Sequence, residues 1–85
     1  MKMITEQLNG FIADKYGWSA LLTGEKITIK NKKGQICGAV AIAGGTLDVQ
    51  NVMLGQQNLM GSLAKKEIRI YVQGLLAGMI DAAII

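Results

Sequence analysis

With 85 residues the chain has room for one domain, near the size at which a single core is marginal without metals, disulfides or a second chain. It contains no His and one Cys, Cys37, which excludes a tetrahedral N/S metal site or an intrachain disulfide built from one copy, and no cofactor is expected. The net charge is +3, and 51% of residues are hydrophobic although Phe11, Tyr16, Trp18 and Tyr71 are the only aromatic residues. Apolar area must therefore be hidden by aliphatic and small side chains, and association with a second chain is the remaining source of stability.

The N-terminal run Met1-Lys2-Met3-Ile4-Thr5-Glu6-Gln7 lacks the continuous apolar segment of a secretory signal, so a cytoplasmic location is expected. The stretch from Ile68 to Ile85 is mostly apolar, but it carries Arg69, Gln73 and Asp81 and falls short of the roughly 20 apolar residues a bilayer requires. Membrane insertion is not expected. With no internal repeat, no low-complexity run and no Pro, residues 1–85 read as a single α+β domain.

Residues 3–16 begin it. Ile4, Leu8, Phe11 and Ile12 recur at helical spacing, Glu6, Gln7, Asn9 and Asp14 fall elsewhere around the wheel, and Gly17 is placed to close the C-terminus. Short strands follow at about 18–23, 26–31, 35–43 and 46–52, forming an antiparallel meander. Its turns are Gly24-Glu25, Asn31-Lys32-Lys33-Gly34 and Gly44-Gly45. Pairing around them sets Leu22 opposite Ile27, Ile29 opposite Ile36, Val40 opposite Val49, and Ile42 opposite Leu47. A core face then gathers Trp18, Ala20, Leu22, Ile27, Ile29, Ile36, Val40, Ile42, Leu47 and Val49. The opposite face carries Lys26, Thr28, Lys30, Asp48 and Gln50 around a small, apolar strip of Cys37, Ala39, Ala41 and Ala43. A solvated strand usually shows longer polar side chains, so this smooth face invites cover by the last helix of the same chain, a second subunit or a foreign partner.

Residues 53–61 fit a loop or a short helical turn. A long helix follows over about 62–84, capped by Ser62, or earlier by Asn58 with Gly61 inside. Ile68, Tyr71, Val72, Leu75 and Met79 form one apolar stripe, with Ile70, Ala77 and Ile84 away from it, so burial on more than one side is expected. Gly74, Gly78 and Ala82 form a groove of small residues that admits a neighbouring backbone, either in another chain or in the small-residue sheet face of this one.

No catalytic constellation emerges. Cys37 lies mid-strand with no His to activate it and reads as a small buried side chain, and the carboxylates are scattered. Asp48, expected opposite Ala41, is the one placed to orient a partner on the smooth face. No phosphate-binding glycine loop is present. Lys26, Lys30, Lys32 and Lys33 cluster about the second hairpin and Lys65, Lys66 and Arg69 about the start of the last helix. If that helix starts at Ser62, Lys65 and Lys66 oppose its macrodipole, and an anion would relieve the conflict.

The expectation is a non-enzymatic, self-associating protein-binding module. It would be an adaptor or a stoichiometric inhibitor of the compact kind encoded by viruses and mobile elements. Ala39, Ala41, Asp48, Gly74, Gly78 and Ala82 are its candidate interface residues, toward itself and an unidentified protein. The alternative is an electrostatic nucleic-acid binder using the two basic clusters.

Overall fold

The computed structural model describes residues 2–43 and 46–81, and side-chain surroundings as far as residue 78. It contains helix α1 (Lys2–Tyr16), strands β1 (Ser19–Thr23), β2 (Lys26–Lys30), β3 (Ile36–Ala43) and β4 (Thr46–Asn51), a small hairpin of β5 (Met53–Leu54) and β6 (Gln57–Asn58), and helix α2 (Ser62–Asp81). The fold is α+β, with β1 to β4 forming one antiparallel sheet in chain order.

Helix α1 buries Ile4, Leu8 and Ile12, one residue per turn, and ends where Gly17 adopts φ 72°. The Gly17 N–H donates to the Ala13 carbonyl at 3.1 Å and the Trp18 N–H to the Ile12 carbonyl at 3.2 Å, satisfying acceptors that a helix terminus otherwise leaves open. The Lys32 stem lies where a side chain at Gly17 would project, tying the second hairpin to this helix end.

The first and third hairpins have the expected register, with Leu22 opposite Ile27, Val40 opposite Val49 and Ile42 opposite Leu47. The Gly44-Gly45 turn itself lies outside the described residues. The second hairpin differs: Ile29 pairs with Gly38, and Lys30 with Ile36, because a bulge inserts Cys37 between the two pairs. The turn is a tight loop in which Asn31 Oδ1 accepts the Lys33 and Gln35 N–H groups, both at 3.0 Å, and Gly34 takes φ 79°. The expected pairing of Ile29 with Ile36 is two residues away from the real one. A two-residue shift keeps each side chain on its face, so Ile27, Ile29 and Val40 are buried as expected. Only the residues at the bulge change sides: Ile36 is 51% exposed, and Cys37 is fully buried in the core. Gly38 sits beneath Met60, and a Cβ there would approach the Gln50 carbonyl to 2.6 Å and Met60 Cε more closely still.

Residues 53–61 are neither plain loop nor helical turn. Met53 pairs with Asn58 and Leu54 with Gln57 around Gly55, which has φ 64°, and the ladder continues as the Leu59 N–H donates to the Val52 carbonyl at 2.7 Å. The Asn51 side chain then accepts the Met60 N–H at 3.0 Å, turning Met60 into the core. Helix α2 begins at Ser62, not at Asn58. Gly61 occupies the cap position, its carbonyl accepting the Lys65 N–H at 3.2 Å, so Ser62 is the first helical residue and not the cap. The expected continuation through residues 82–84 lies outside the described residues.

Both helices pack on the same sheet face. One core joins Ile4, Leu8 and Ile12 of α1, Ile27, Ile29, Cys37, Val40 and Val49 of the sheet, and Met60, Ala64, Ile68 and Val72 of the C-terminal segment. Helix α1 lies against β1, α2 against β4, and the helices touch one another. Val49 is 1% exposed even though β4 is an edge strand, while at the other edge Asn9 Oδ1 accepts the Ala20 N–H at 2.8 Å. The Asn9 contact occupies an edge donor that a foreign strand would need.

Candidate functional site

With both helices on one face, none of the described residues covers the smooth face of the sheet. The register arranges it in rows. Thr23, Lys26, Ala41 and Asp48 make one cross-strand row, and Leu21, Thr28, Ala39 and Gln50 the next. Lys26, Asp48 and Gln50 are exposed, Leu21 is 58% exposed, and Thr28, Ala39 and Ala41 are half-buried by their neighbours. Asp48 is oriented along its strand by Gln50, whose Nε2 donates to Asp48 Oδ2 at 3.0 Å. The interface candidates Ala39, Ala41 and Asp48 therefore share one open surface. Cys37, expected on the same strip, is absent from it. Its Sγ donates to the Ile29 carbonyl at 3.5 Å, and burial pushes its thiol above the ordinary range.

The second surface is the outer side of α2. The groove of small residues does not receive the sheet: α2 packs on the opposite sheet face, and among the described residues no atom outside the helix's own backbone and the adjoining residues lies within 4 Å of where a Cβ on Gly74 or Gly78 would project. Ala82 lies outside the described residues. Next to these glycines Ile70 is 57% exposed and Ala77 is open as well, so among the described residues the helix is buried on one side, contrary to the expectation of burial on more than one. Leu63 near its start, and Met53 and Leu54 on the small hairpin, are further exposed apolar residues. The hairpin has no signature in the sequence, because its two-residue strands are too short to show a period.

A clasp between the helices was not foreseen. Phe11 and Tyr71 stack with ring centroids 4.2 Å apart, and the Tyr71 hydroxyl donates to the Gln7 carbonyl at 3.3 Å. The Tyr16 hydroxyl donates to Glu67 Oε2 at 2.5 Å, and the Lys15 ammonium pairs with the same oxygen. These two donors, Lys15 foremost, hold the Glu67 carboxyl below its ordinary range. Burial, reinforced by the hydrogen bond and the charge of Glu67, pushes the Tyr16 phenol up to about 12. Phe11, Lys15, Glu67, Ile70 and Tyr71 line a shallow cleft beside the exposed Ile70. The separations of 51 and 64 residues bridged by these hydrogen bonds leave no local pattern from which to read the clasp.

The basic residues do not form one stripe. Lys26 and Lys30 alternate with the buried Ile27 and Ile29 and so belong to the open sheet face, and Lys32 and Lys33 occupy the turn beyond. Lys65, Lys66 and Arg69 belong to α2, on the opposite layer, where with Ser62 they line a shallow depression. Among the described residues no group of three His, Cys, Asp or Glu side chains is gathered to hold a metal ion, and no helix is long and apolar enough to cross a membrane. Comparison with known proteins finds no matching family model, no similar curated protein and no similar solved structure.

Proposed function

We propose that this chain is a non-enzymatic protein-binding module that associates with itself and acts by stoichiometric contact, as an adaptor or inhibitor. The observation behind this reading is the layering: a single chain covers one face of its sheet with both helices and leaves the Ala39/Ala41 face open. The open Gly74/Gly78 side of α2 adds a second surface of the same kind. Small, flat and partly apolar surfaces suit protein contact, whereas a strand facing only water favours longer polar side chains.

The reading is tested by binding and association measured against ionic strength. Association that resists salt and is lost on Ala41→Arg supports it; an Ala41→Arg chain that folds and associates like the parent would sink the sheet face as the contact.

The second reading, an electrostatic nucleic-acid binder, draws on the start of α2. There Lys65, Lys66 and Arg69 add their charge to a helix terminus whose dipole is also positive. Lys26 and Lys30 would have to engage a separate stretch of phosphates, since they belong to the open sheet face, with Lys32 and Lys33 in the turn beyond. Binding to duplex or single-stranded nucleic acid that falls steeply with salt, and disappears when Lys30, Lys32 and Lys33 become Glu, would select this reading over the first.

A further inference from the structure

We infer that the open sheet face is the contact between two copies of this chain, related by a twofold axis running along β3 above Ala39 and Ala41. This rests on the self-association proposed above and names its geometry. The decisive observation is the order of side chains in one row. Lys26 on β2 and Asp48 on β4 flank Ala41 on either side, each one strand away, so opposite charges stand about 5 Å to the left and right of a small central residue.

A twofold axis parallel to the strands and over β3 exchanges left with right while turning the face over. It therefore sets Lys26 of one copy opposite Asp48 of the other, twice, with Ala41 meeting its own copy on the axis. The next row obeys the same operation, setting Thr28 opposite Gln50 of the other copy, both able to hydrogen-bond. A twofold axis across the strands would instead oppose Lys26 with Lys26 and Asp48 with Asp48, so the charge pattern selects one arrangement and the isologous contact closes on itself.

Each charge is available for this role. Lys26 has no ion-pair partner among the described residues, and Asp48 is held by the neutral Gln50 side chain. Facing sheets pack about 10 Å apart, a gap that an extended lysine and a carboxylate bridge together. The small side chains at 39 and 41 let the central strands close between the two pairs. The pairs lie over edge strand β4, at the border of the overlap, so they set the register of the two copies, while the small apolar side chains between them carry the contact when salt is raised.

The test is a charge exchange followed by sedimentation equilibrium. Lys26→Asp and Asp48→Lys each place like charges together twice per dimer, and each weakens dimerisation by about tenfold or more. The double variant Lys26→Asp/Asp48→Lys restores the pairs with their signs exchanged and recovers dimerisation to near that of the parent. Both residues are exposed, and a thermal melt of each variant confirms that it is folded. A parent chain that stays monomeric at all concentrations would overturn self-association and this geometry together. A parent dimer indifferent to both single exchanges, or folded single variants whose loss the double exchange does not repair, would overturn this geometry and leave self-association standing. Disruption by Ile70→Lys in place of the exchanges would move the contact to α2.

Discussion

Gly38 and Cys37 stand side by side at the bulge and show how little space the core leaves there. A methyl group at Gly38 meets the Gln50 carbonyl, which cannot move without shifting β4, as well as the more compliant Met60. Gly38→Ala should cost about 1–3 kcal/mol, seen in urea denaturation as a lower midpoint at unchanged slope. Cys37 is fully buried with its thiol pushed up by desolvation, so the reactive thiolate is disfavoured. An aromatic disulfide reagent should label it only as fast as the chain opens, with rapid labelling in denaturant. Rapid labelling of the native chain would contradict the placement of Cys37 in the core. Period-two alternation alone assigns Cys37 to the outer face and Ile36 to the core. The inserted residue that reverses both is signalled only by Gly38, since a glycine inside a strand pattern marks a bulge or a close backbone approach without saying which residue is extra.

Between elements, the clasp of Tyr16, Lys15 and Glu67 joins α1 to α2 and makes stability depend on pH at both extremes. The Tyr16 phenol is raised from 10.0 to about 12, so the folded chain holds this proton more tightly than the unfolded one. Its contribution is complete below pH 10 and is lost as pH climbs from there toward about 12. Glu67 acts in the opposite sense: its carboxyl is depressed, so its contribution is present above the ordinary carboxylate range and is lost as pH falls through the lower folded value. Melting temperatures across pH 9–12 should fall more steeply for the parent than for Tyr16→Phe, and equal slopes would contradict the clasp. At the sheet margin, Asn9→Leu removes the acceptor of the Ala20 N–H. It should lower stability by about 1 kcal/mol and increase aggregation by baring part of β1, measured by melting and by turbidity on storage. The elements themselves were largely legible. The first and third hairpins join their strands by two residues, a geometry that sets register locally, whereas the longer Asn31–Gln35 loop admits several registers and its true one depends on the bulge. The start of α2 was ambiguous because Asn58 and Ser62 both suit a cap, and the small hairpin that excludes Asn58 is fixed by contacts with Asn51 and Val52.

For the molecule as a whole, the sequence marks the two surfaces but not which of them the chain covers itself. Small residues at 39, 41, 74 and 78 suit either mutual packing of the sheet and α2 or contact with something else. The three-dimensional structure separates these, because α1 and α2 share one sheet face and bury its Ile27, Ile29 and Val40 completely. Two smooth surfaces then remain outside, and the row of Lys26, Ala41 and Asp48 makes one of them self-complementary. Self-association is tested most directly by the absolute mass of the purified chain, from light scattering on a gel-filtration column at low and high salt over a range of concentrations. Twice the 9.1 kDa chain mass is expected at high concentration under both conditions, and a single-chain mass throughout would overturn self-association through the open sheet face.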